Sequence, residues 1–127
     1  MKVTATVIAI AGRFLTSVSP VHAQGAEWEN INKEVMQLYR AGNYERAVVV
    51  AKKALEVAEK NAGPDHADVA RSLNNLASLY QTQGQYARAE PLYQRALAIS
   101  EKALGPDHPD VATSLNNLAS LCRLGFS

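Results

Sequence analysis

Two short strings in the chain gather residue types that can hold a metal or move a proton: Asp65-His66-Ala67-Asp68 and Asp107-His108-Pro109-Asp110. The second follows the first at an offset of 42, so two copies on successive structural units would not converge on one ion. A helix entry explains them with less. Carboxylates in these positions accept hydrogen bonds from unpaired amides and favour the positive end of the helix dipole, and on that reading Asp65 with Asp68, and Asp107 with Asp110, open helices. No metal and no cofactor are therefore expected. The single cysteine, Cys122, admits neither an intramolecular disulfide nor a cysteine-based zinc site. It stands one period after Tyr80, at a packing position, and reads as a buried structural thiol rather than a nucleophile. No Ser/His/Asp set, glycine-rich phosphate loop or pair of buried carboxylates stands out, and the expectation is a protein that is not an enzyme.

The elements that carry these strings follow from a repeat. Residues 63 to 79 read GPDHADVARSLNNLASL and residues 105 to 121 read GPDHPDVATSLNNLASL, identical at 15 of 17 positions at an offset of 42. A looser copy precedes them, because Gly42, Tyr44, Ala47, Ala54, Leu55 and Gly63 recur at the same offset as Gly84, Tyr86, Ala89, Ala96, Leu97 and Gly105. The chain thus holds two units and the first half of a third. Within a unit, Leu73, Leu76, Ala77 and Tyr80 fall at i, i+3, i+4 and i+7, one side of a helix, while Arg71, Asn74, Asn75, Ser78 and Gln81 gather on the other. Gly84 breaks this helix. A second follows from Tyr86, packing small Ala89 and Ala96 beside Leu92, Tyr93, Leu97 and Ile99, and the same reading covers Tyr44 to Lys60 with Ala47, Ala51, Ala54, Leu55 and Val57 inward. Pro91 lies in the first turns of the second helix, where a bend is expected. Trp28 is expected to pack at the start of the first helix, and Tyr39 to pack or to face a groove.

The remaining composition narrows the class. Of 127 residues, 47% are hydrophobic and 20% charged, which suits one folded domain. The formal charge is +1, or −1 when positions 1–23 are set aside, with no basic excess of the kind that neutralises several phosphates, so nucleic acid is not an expected partner. Residues 1–23 run from Met1-Lys2 through an apolar stretch around Val7 to Ala11 and close on Val21-His22-Ala23. That order matches a signal peptide cleaved after Ala23, which would place the protein in the periplasm or outside the cell. Arg13 interrupts the apolar stretch, and a disordered leader on a cytoplasmic protein is the other reading. A membrane span in the mature chain is not expected, as no apolar stretch approaches about 20 residues.

The strings LNNLASLY and GQYARAEPLYQRALAISEKALGPDHPDVA resemble the tetratricopeptide repeat family, in the 42-residue variety of kinesin light chains, over residues 28 to 124. The resemblance implies an all-α fold, a right-handed α-α superhelix of about two and a half helix-turn-helix repeats. Residues 24–127 would form it, with repeats at approximately 28–62, 63–104 and a half repeat at 105–124. The first unit departs from the pattern: the Leu38-Tyr39 to Gly42 interval is one residue shorter than Leu79-Tyr80 to Gly84, and Lys33 and Glu34 stand where Asn75 and Leu76 stand later. These departures suggest an N-terminal capping unit.

The family's concave groove, lined by the first helix of every pair, binds peptides. Carried onto this chain, the groove takes Asn32, Asn74 and Asn116 in one ladder, Asn75 and Asn117 in a second, and Met36, Ser78 and Ser120 in a parallel row, with Gln81 on the same side. Its charged members are Glu29, Lys33, Arg40, Arg71 and Arg123, four basic against one acidic, which implies an acidic peptide. An asparagine amide suits such a ligand because it both donates and accepts. It can equally bond neighbouring helices and serve the solenoid alone. The two functions held open are accordingly an adaptor for an extended peptide and a purely structural segment. The third unit has no second helix, so Leu115, Leu118, Ala119 and Cys122 are expected to lack cover. Truncation of a longer array is the favoured account, with self-association through the open end, or a doubling back of the last helix, as the others.

Overall fold

The computed structural model describes residues 20–124, with side chains from Gly25 onward. The leader expected over residues 1–23 lies outside the described residues, apart from its last backbone positions. Five helices follow one another: α1 Pro20–Arg40, α2 Tyr44–Ala62, α3 Ala67–Thr82, α4 Tyr86–Leu104 and α5 Pro109–Arg123. Each packs chiefly against its neighbour in the chain, and α3 also reaches α5. That is the all-α solenoid expected from the repeat, two helix pairs and the first helix of a third.

The helix ends follow local chemistry, with two corrections to the sequence reading. The caps of α3 and α5 are His66 and His108, not Asp65 and Asp107. Each imidazole Nδ1 accepts the amide of the residue two positions on, Asp68 at 3.0 Å and Asp110 at 3.1 Å. Asp65 instead accepts the Lys102 ammonium at 2.9 Å. The aspartates at Asp68 and Asp110 do lie in the first turn of their helices, where the dipole favours them. Ahead of each cap a glycine ends the preceding helix, at φ 93° and ψ 158° for Gly63 and φ 90° and ψ 154° for Gly105, a region that side-chain-bearing residues enter only at a cost.

The second correction concerns the turn inside the first repeat. α1 and α3 end identically: Asn43 N–H bonds the Leu38 carbonyl and Gln85 N–H the Tyr80 carbonyl, with Gly42 and Gly84 at φ 77° and 75°. The turns are of equal length and the period of 42 holds throughout. Leu38 occupies the place of Tyr80, and the Leu-Tyr pair that suggested a shorter turn is a coincidence of residue type. Pro91 lies within α4, which runs through it as one element. The carbonyl that its missing N–H would have met belongs to exposed Ala87, where water can serve.

The core forms where helices approach over alanine. Ala47, Ala51, Ala54, Ala77, Ala89 and Ala96 are 0–1% exposed, and a methyl at each crossing lets two helix axes come close. Around them sit two clusters, one built on Val35, Leu76, Leu79, Tyr80 and Tyr93, the other on Trp28, Val57, Val69, Leu73 and Ile99. Trp28 packs into the core as expected, but more than two turns inside α1, which begins at Pro20, rather than at its start; its indole N–H donates to the buried Ser72 hydroxyl at 2.8 Å. Ile31 and Leu38, on the same side of α1, are half-buried, and Glu34 is exposed, because no described helix precedes α1.

Two measurements test this account. Ala96→Leu, which forces three methylene-sized groups into a closed crossing, should lower unfolding stability by about 1–3 kcal/mol, whereas Ala98→Leu on the exposed side of α4 should stay within about 0.5 kcal/mol; urea titration reads both. For the cap, His66→Ala should cost about 1 kcal/mol and His66→Asn should restore most of it, since asparagine also accepts from the first turn.

Candidate functional site

The first helices of successive pairs, α1, α3 and α5, lie side by side and present one polar surface. Three adjoining depressions run along it. The largest, about 390 Å³, is lined by Asn32, Lys33, Met36, Gln37, Arg40 and Asn75. A second, about 180 Å³, lies beside it, with Val35, Met36, Tyr39, Ser78, Leu79 and again Asn75. The third, about 220 Å³, opens towards α5, with Asn32, Arg71, Asn74, Asn75, Ser100, Asp110 and Thr113. Asn75 borders all three and marks the middle of a continuous furrow.

The asparagines of this furrow bond one another across helices rather than standing in separate rows. Asn75 Nδ2 donates to Asn32 Oδ1 at 3.2 Å, which links the two ladders read from the sequence. Asn74 Nδ2 donates to the buried Ser114 hydroxyl at 3.2 Å, while its Oδ1 is buried with no protein partner. Further along, the Tyr93 hydroxyl donates to Gln81 Oε1 at 2.8 Å, and Gln81 Nε2 donates to the Ser120 hydroxyl at 3.3 Å. Burial lifts the Tyr93 phenol above its ordinary pKa, a contact with Ser78 working the other way and Tyr39 adding to the rise, so this donor keeps its proton. Gln81 therefore ties α4 and α5 to α3. Tyr39 faces the furrow and bonds Thr82 Oγ1 at 3.4 Å.

Charge is distributed differently from the sequence count. Arg71 reaches Asp110 at 3.4 Å and Asp68 at 3.9 Å, two acids absent from that count. Lys33 and Arg40 are exposed, and the depression they share has no acidic residue in its lining. Within the furrow, Lys33 and Arg40 are thus the cations whose depression is lined by no acid. Of the fourteen groove residues read from the sequence, Asn32, Lys33, Met36, Arg40, Arg71, Asn74, Asn75 and Ser78 meet in the furrow, and Glu29 is not among its lining residues. Gln81, Asn116, Asn117, Ser120 and Arg123 lie outside its three depressions, Gln81 and Ser120 being taken up with each other. Ser100, Asp110 and Thr113 were missed. Asp110 and Thr113 sit on the first turns of α5, and Ser100 comes from the second helix of its pair, which periodicity assigns to packing alone.

Cys122 requires a correction. It is exposed, although its counterpart Tyr80 is buried, because α4 covers Tyr80 and no described helix follows α5. The histidines of the Asp-His-x-Asp strings are spent on caps, Asp65 pairs with Lys102 and Asp110 with Arg71, and no group of three or more His, Cys, Asp or Glu gathers among the described residues. No described helix is long and apolar enough to cross a membrane. The furrow can offer hydrogen bonds and charge to an extended chain.

The tetratricopeptide repeat family model matches residues 32–102 and 69–125. Among solved structures, BtubC (BKLC) from P. vanneervenii, a kinesin-light-chain-like repeat protein, aligns with a TM-score of 0.68 at 27% identity, over 73% of this chain. The chain spans only 37% of that protein's length. No curated protein matches the sequence. With the family model matched over most of its length and an all-helical solenoid whose period is 42, the chain belongs to the tetratricopeptide repeat family.

Proposed function

We propose that the furrow formed by α1, α3 and α5 holds an extended acidic peptide, which makes the protein an adaptor. Tetratricopeptide repeats mediate protein–protein interaction or scaffolding, and the observation that supports the finer reading is the depression bearing Lys33 and Arg40 with no acid among its lining residues. Two exposed cations in one concavity raise the local concentration of an acidic segment and set its register, while Asn75 at the centre offers an amide to its backbone. Retention on an array of short unstructured peptides tests this directly. Asp- and Glu-rich peptides should be retained, and Lys33→Ala with Arg40→Ala should weaken retention about tenfold, more so at about 0.05 M than at about 0.5 M salt. Selection of basic peptides, or indifference to the two alanines, would count against it.

A specific observation also favours the structural reading. Asn75 and Asn74 are already bonded to Asn32 and Ser114, and a bonded amide serves the stacking of first helices. Asn75→Ala distinguishes the two roles: unchanged melting with peptide retention lost marks contact, whereas a stability loss of about 0.5–1.5 kcal/mol with retention kept marks scaffolding. Where the partner is met turns on residues 1–23, which we take as an export leader; N-terminal sequencing of the protein from its own cells should begin at Gln24, and an intact Met1 end would place the encounter in the cytoplasm.

A further inference from the structure

Asn74 Oδ1 and Ser100 Oγ are buried polar atoms without a partner in the protein, and both residues line the same depression of about 220 Å³ on the α5 side of the furrow. Ser100 itself is 1% exposed. A buried polar group left unbonded costs more than an ordinary hydrogen bond returns, so two at one place need a reason. The repeat shows that stacking does not supply it. One period before Ser100 stands Ala58, buried to the same degree, so packing at this position asks only for a methyl. One period before Asn74 stands Asn32, whose Oδ1 accepts Asn75 Nδ2 at 3.2 Å, while the corresponding oxygen of Asn74 accepts from nothing. The hollow is several times the share of liquid volume that one water takes, about 30 Å³, and has room for a side chain.

We propose that this depression is a subsite for a primary carboxamide, the side chain of a glutamine or asparagine in the peptide that the furrow holds. The subsite rests on the acidic-peptide reading and gives it a sequence preference. Asn74 Oδ1 can only accept, so its guest must donate, whereas the Ser100 hydroxyl both donates and accepts. A carboxamide carries N–H and C=O on one plane and serves both atoms. A carboxylate has no proton for Asn74. A cationic side chain would meet Arg71 on the same wall, where the Asp110 carboxylate is already engaged by that guanidinium at 3.4 Å. An aliphatic side chain would leave both atoms unpaired. Asn32 and Asn75 border this depression and also the one bearing Lys33 and Arg40, so one extended chain can seat its amide in the first and its acids in the second.

The probes are short fluorescein-labelled peptides of Asp, Glu, Gly and Ser: a parent without side-chain amides, and a series in which a single glutamine is walked along it. Titrated with the whole protein and read by anisotropy, one placement should bind about tenfold more tightly than the parent, and glutamate or methionine at that place should abolish the gain. Ser100→Ala, which copies Ala58, should leave the melting temperature and the affinity for the parent unchanged and erase most of the glutamine gain. Lys33→Ala with Arg40→Ala should weaken the parent and the glutamine peptide by the same factor. Acidic peptides bound equally well at every glutamine placement overturn the subsite alone, with water then serving the two atoms. Failure of the parent and the whole series to bind overturns the acidic-peptide reading with it. A glutamine gain that survives Ser100→Ala, or a melting temperature lowered by that change, assigns the hydroxyl to the fold and also overturns the proposal.

Discussion

Two helices pack as closely as the side chains at their crossing allow, and in this chain that distance is set by methyl groups. Ala47, Ala51, Ala54, Ala77, Ala89 and Ala96 are closed to solvent, and no longer residue could stand there without moving a whole helix. Everything else is hung on these crossings. Large residues fill the spaces beside them, Tyr93 and Leu73 among the most completely buried, and the indole of Trp28 reaches Ser72 because the first pair lies close to the second. Surface ion pairs join α4 to α2, through Arg95 and Glu59, and α4 to the turn before α3, through Lys102 and Asp65, but exposed pairs contribute little, about 0–1 kcal/mol each.

Close crossing has a consequence for the polar side. When second helices are drawn in tightly, first helices are set shoulder to shoulder, near enough for asparagine to bond asparagine. A single bond of this kind adds about 0.5–1.5 kcal/mol, modest against the burial of apolar side chains, yet it fixes which amides remain for a ligand. Asn75 spends one donor on Asn32 and keeps the rest of its amide at the junction of three depressions. Asn74 leaves a buried oxygen without a protein partner. Stacking therefore draws on the same residues as the recognition proposed above.

The repeat also shows how an identical string acquires different surroundings. Residues 63 to 79 and 105 to 121 differ at two of 17 positions, and their inward faces are buried alike. Their outward faces part company because one has a following helix and the other, among the described residues, has none. Cys122 is exposed for that reason, not because of anything in its own neighbourhood of sequence.

Period and residue type by themselves determined the helices, their pairing and the inward stripe, since an apolar residue at every third or fourth place can be hidden only one way in a stack of similar units. They also placed the polar stripe that becomes the furrow. Three matters were decided by the tertiary structure. His66 and His108 cap the helices because the chain turns at Gly63 and Gly105 so as to bring an imidazole, rather than the preceding carboxylate, to the open amide. Arg71 is matched by Asp110 from the next repeat, a pairing between units that no local count of charge contains. The partners of each asparagine, and the exposure of Cys122, depend on which helix lies alongside, because a hydrogen bond or a buried surface belongs to two elements and a sequence describes them one at a time.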